Sequence, residues 1–91
     1  MVILIKYGPE NAAEKLKILA ADKGDTVVLI QDGIFWAIEE KTDIRIPENV
    51  KVVAIKDDYL ARGYKEENAP IPLINYDQFI EIVEKDTKII S

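Results

Sequence analysis

Ninety-one residues, 48% hydrophobic and 32% charged, suffice for a single domain over 1–91 with one modest core, and are too few for two. That balance excludes a disordered tail, and no apolar run approaches the roughly 18 residues that span a bilayer. A net charge of −5 argues against a surface built to grip phosphate backbones, and the absence of Cys and His excludes thiol chemistry, disulfides, ligation through either residue and any His-based triad.

The amino-terminal stretch Met1-Val2-Ile3-Leu4-Ile5-Lys6 lacks the charged region and small-residue cleavage site of a signal peptide, so a cytoplasmic protein is expected. Its apolar part is the first of four short runs; Thr26–Ile30, Lys51–Ile55 and Ile71–Ile74 are the others. All are continuous rather than alternating, as strands covered on both faces of a parallel sheet are, and each gap leaves room for a crossover. Pro72 cannot donate to a ladder, which makes the fourth run short or an edge.

Between the runs lie helical patterns. Glu10 to Lys23 carries Ala12, Leu16, Leu19 and Ala20 on one face of a helix, with Gly24 as the expected stop. Ile34-Phe35-Trp36-Ala37-Ile38 is apolar all round at helical spacing, more than one sheet face can cover, so a subunit contact is expected there. Thr42 to Val50, with Pro47, is expected to be an extended connector or an extra strand. Asp57 to Gly63 reads as a short helix with an aspartate cap, and Asn75 with Gln78 as a capping box ahead of the stripe Tyr76, Phe79, Ile80 and Val83. The last pair, Ile89-Ile90, docks back on the body. The expected fold is α/β: three layers around a small, mainly parallel sheet of four strands, or five if the last pair joins.

Ligands of open parallel sheets favour the crevice beyond the strands' carboxyl ends. Gln31, Asp32, Gly33, Asp57 and Asp58 fall there, with Tyr7-Gly8-Pro9 and Asn75. No glycine-rich phosphate motif is present. Asp32, Asp57 and Asp58 suggest an oxygen-ligand cation site on paper, but turn and helix-start roles account for them more simply, so neither metal nor cofactor is expected. Candidate contacts to another subunit are Phe35, Trp36, Tyr59 and Arg62.

Three stretches, Val28-Leu29-Ile30-Gln31-Asp32-Gly33-Ile34, Asp57-Asp58-Tyr59-Leu60-Ala61-Arg62-Gly63 and Leu73-Ile74-Asn75-Tyr76-Asp77-Gln78-Phe79, resemble the DsrH/TusB family in order and spacing. The resemblance implies a DsrEFH-like α/β/α fold, assembly into oligomers of at least two chains, and a place in a sulfur relay. In that relay TusB-type chains join TusC- and TusD-like subunits to support 2-thiolation of a tRNA wobble uridine, touching tRNA only indirectly. Relatives from sulfur oxidation carry a Cys in the first helix, and the alignment places Lys17 there. A relay step needs a thiolate. The expectation is therefore a non-catalytic subunit, not an enzyme; the alternatives are a free-standing homodimeric binding protein outside tRNA thiolation and, lower, a metal enzyme. Rich use of Ile, Lys and Glu without Cys also resembles hyperthermophile proteins.

Overall fold

The structure is a computed structural model and describes residues 1–38, 49–86 and 88–91. Five strands pair in parallel: β1 (Val2–Ile5), β2 (Thr26–Leu29), β3 (Lys51–Ile55), β4 (Leu73–Ile74) and β5 (Ile89–Ile90), in spatial order β4-β3-β2-β1-β5. The C-terminal pair does join the sheet, beside β1, with Val2 opposite Ile89 and Ile3 opposite Ile90. β4 is the short edge that Pro72 foretold; the proline's carbonyl still accepts from the Ala54 amide at 3.1 Å. The expected extended connector falls largely on 42–48, outside the described residues.

Strand order decides which elements share a layer. From β1 to β4 the chain steps one way across the sheet, so right-handed crossovers place α1 (Ala12–Ala20), the 3₁₀ helix Gln31–Ala37 and α2 (Lys56–Ala61) on one face. The return from β4 to β5 carries α3 (Tyr76–Lys85) over the other face. The two cores follow this division. Ile3, Ile5, Val27, Leu29 and Ala54 meet Ile18, Ile34, Trp36 and Tyr59 on the first face. Val2, Val28, Val53, Ile55 and Ile74 meet Phe79 and Ile82 of α3 on the second. Strands flanked by cores on both sides need no polar positions, which is why their sequences do not alternate.

The second apolar segment is the first correction. Gln31–Ala37 winds as a 3₁₀ helix, three residues per turn, and lies across the carboxyl ends of the strands. Gly33, Ile34 and Trp36 are buried there, and the Trp36 indole N–H donates to the Tyr7 carbonyl at 2.9 Å. Phe35 is half-buried and sets its ring edge-on to Tyr64, centroids 6.3 Å apart. Ile34 and Trp36 are thus covered by this chain's own residues, while Phe35, Ala37 and Ile38 stay half-buried.

Gly33 makes that seat possible. A β-carbon on it would stand 1.9 Å from the Ile5 carbonyl oxygen, so the helix backbone rests directly on the end of β1. The Ile30 amide donates to the same oxygen at 3.0 Å.

The second correction concerns α1. Asn11 caps it by accepting from the Glu14 amide at 3.0 Å, and the helix ends at Ala20, before Gly24. It turns Glu14 and Ile18 inward, leaving Ala12, Leu16, Leu19 and Ala20 exposed. The reason is electrostatic. Beyond β1 the Lys6 and Tyr7 amides have lost their strand partner, and the buried Glu14 carboxylate accepts both, at 2.6 and 3.0 Å. Lys17 pairs with the other oxygen of Glu14 and donates to the Leu4 carbonyl at 2.9 Å. A buried carboxylate with these partners fixes the rotation of the helix, and the leucines point where the rotation leaves them.

Burial pushes the Glu14 carboxyl up, but the Lys17 ammonium and the Tyr7 and Lys6 amides outweigh it and hold the group below the ordinary 4.5. A group lowered in the fold contributes stability that is fully present above its unfolded value and is lost as pH falls through the folded one. Glu14→Gln should therefore cost about 1–3 kcal/mol near neutrality by denaturant unfolding. The gap to the unaltered protein should narrow below pH 4.5; a gap constant down to pH 3 would contradict the assignment. Gly33→Ala should cost about 3 kcal/mol, the upper end for overpacking, because its obstacle is backbone. A loss under about 1 kcal/mol would mean that the close approach relaxes freely.

Candidate functional site

Gln31, Asp32 and Asp58, singled out in the sequence at the strand ends, assemble with Arg62 into one network between the 3₁₀ helix and α2. Gln31 leaves β2 with φ 49°, a left-handed conformation that few residues other than glycine adopt. Its amide thereby meets Asp58, which accepts it at 2.8 Å across a sequence gap of 27 residues. Asp32 follows, exposed in the first turn, and one of its oxygens accepts both Nε and Nη2 of Arg62, at 3.2 and 3.0 Å. The guanidinium's third bond, from Nη1, goes back to the Asp58 carbonyl at 3.0 Å. Arg62 is suited to this because its planar fork holds two partners in fixed directions.

The local sequence explains the placement. Helix α2 begins immediately after β3, with Ile55 at the cap position, so the expected aspartate cap is not what starts it. Asp57 and Asp58 occupy the first turn, where the helix dipole favours them, and this frees Asp58 to serve Gln31. Asp57 points outward and is exposed. Gly63, at φ 87°, lets the chain turn away after Arg62. Asn75 and Gln78 form the expected capping box, and α3 starts with Tyr76 directed at Asp58, its hydroxyl 3.5 Å from a carboxylate oxygen. The Asp58 charge, some desolvation and the Asp57 charge push the Tyr76 hydroxyl above its ordinary value, keeping it a neutral donor.

So the structure brings together Gln31, Asp32, Asp58 and Arg62, with Tyr76 alongside and Gly33 beneath, and leaves Asp57 outside. Among the described residues, no three carboxylates gather where they could hold a metal ion. Asp32 and Asp58 are occupied by Arg62 and Gln31, in the manner of a clasp rather than of open ligands. Of the candidate subunit contacts, Trp36 and Tyr59 are 3% and 2% exposed and offer a partner no surface. Phe35 is half-buried, and Arg62 is engaged with Asp32.

Sequence reasoning missed Glu14. A signal was present: Asn11 followed three residues later by Glu is the pattern of a helix start with reciprocal capping, which marks that glutamate for a backbone role. Here it reaches the amides beyond β1 instead of the cap amide. Lys17, at the position the resemblance aligns with a relay cysteine, has its ammonium tied to Glu14 and Leu4.

The DsrH-like protein family matches residues 10–89. Protein TusB from Enterobacter sp. (strain 638) is 32% identical over 88 residues, 93% of each chain. Protein TusB from Pectobacterium carotovorum subsp. carotovorum (strain PC1) is 30% identical over 86 residues, 90% of each. Two solution structures of protein Tm0979 from Thermotoga maritima share the fold. One superposes with a TM-score of 0.75 at 48% identity and covers 97% of both chains. The other, which describes a candidate sulfur transferase, gives 0.71 at 47% identity, over 98% of this chain and 97% of that one. The stretches through Gly33, Arg62 and Gln78 that suggested the relationship all lie within the matched region. The chain belongs to the DsrH family.

Proposed function

We propose that this chain is a non-catalytic subunit of a sulfur relay complex that supports 2-thiolation of the tRNA wobble uridine, assembling with TusC- and TusD-like subunits. The observation that carries the reading is a conjunction: kinship with TusB proteins along nearly the whole chain, in a sequence with no cysteine. Sulfane sulfur passes between thiolates through persulfides, and neither Lys17 nor any other residue here can take that part. What the chain offers is a rigid frame. Its strand-end network locks the 3₁₀ helix to α2, and its acidic balance suits contact with proteins better than direct contact with tRNA.

Tagged protein purified from its native host should carry TusC- and TusD-like chains with it. After incubation with a persulfide-loaded donor its own intact mass should be unchanged, while a TusD-type partner gains sulfur. Recovery of the chain solely as a homodimer would favour the free-standing binding protein instead. A sulfur adduct on this chain would overturn the non-catalytic assignment.

A further inference from the structure

We infer that the outer face of α1, with the groove between α1 and β5, is the docking surface for a different protein, one that presents an apolar segment flanked by carboxylates. Six positions of α1 are exposed, and five are apolar: Ala12, Ala13, Leu16, Leu19 and Ala20. Leu16 is 68% and Leu19 56% exposed, although a nine-residue helix usually spends its largest apolar side chains on the core. The inward face is taken by Glu14, which no outward rotation could satisfy, so the apolar stripe is a fixed feature of the surface. Alanines beside the leucines allow a partner to approach the helix axis closely, leaving the leucines as ridges.

The face continues past the helix. A groove of about 220 Å³, lined by Met1, Ile3, Leu16, Lys17, Ala20 and Ile90, runs between α1 and the sheet edge, with room for one or two large side chains. Its far wall is the exposed edge strand β5, whose outer side is available for pairing.

Charge selects the occupant. The chain as a whole is acidic, yet the exposed arc of α1 carries one charged residue, Lys15, and Lys88 precedes β5; Lys17, on the groove wall, is already neutralised by Glu14. Two copies meeting through this face would bring a Lys15 from each side with no carboxylate on the arc to offset it. A partner with acidic flanks gains from the same arrangement. The identification of that partner as a relay subunit rests on the function proposed above; the surface itself does not.

The test places the photo-crosslinker p-benzoylphenylalanine at position 16, or at position 80 on α3 as a control, in the full chain. Each protein is irradiated in native-host extract and the joined peptides are sequenced. The expected product at position 16 is one defined peptide of another protein, apolar with Asp or Glu on its flanks, lost with Lys15→Glu and absent from position 80. A relay subunit at the crosslink supports both proposals, and an unrelated protein with that chemistry supports the surface while opposing the relay role. Crosslinks to this chain's own peptides, or none at position 16 while relay subunits still co-purify, would overturn the surface and leave the relay role standing.

Discussion

The seat of the 3₁₀ helix on β1 is the constraint on which the rest of the structure depends. With no β-carbon at Gly33, the helix backbone settles against the Ile5 carbonyl, and its neighbours are fixed in turn. Trp36 comes over Tyr7 and closes the first core; Gln31 is forced left-handed and delivers its amide to Asp58; Asp32 emerges within reach of Arg62. Strain at Gln31 is sustained because the hydrogen bond it makes and the packing behind it determine its conformation together. Any larger residue at position 33 would lift the helix and loosen all three links.

At the adjacent corner Glu14 does similar work with charge. Amides stranded beyond a parallel strand need acceptors, and a buried carboxylate serves two at once. The cost of burying it is offset by Lys17, whose ammonium is in turn satisfied by Leu4. A side chain committed this way is structural. Lys17, at the position the resemblance aligns with a relay cysteine, is in this chain part of the frame.

Much of this was legible in the sequence. Continuous β-branched runs marked the strands, Pro72 the edge, and Asn75 with Gln78 the start of α3, because each rests on a local rule that tertiary contacts did not override. Gln31, Asp32, Gly33 and Asp58 of the strand-end network were also named, from topology alone, whereas Arg62 was named as a subunit contact. What they do there was not legible: Asp58 serving Gln31 and Arg62 serving Asp32 are contacts across 27 and 30 residues. Periodicity fell short twice. It found the α1 stripe but not the way it faces, since no hydropathy pattern weighs two unpaired amides against two leucines. It also sent Trp36 to a subunit contact by assuming α-helical spacing, where the tight seat at Gly33 imposes a 3₁₀ helix.

A chain that frames a relay without carrying sulfur should matter to the product and not to the chemistry of any single transfer. The direct measurement is the content of 2-thiouridine at the wobble position in tRNA from the native host, with and without this gene. Deletion should lower that content sharply, and the gene as it stands, without a cysteine added at position 17, should restore it. Unchanged thiolation in the deletion strain would contradict the relay role.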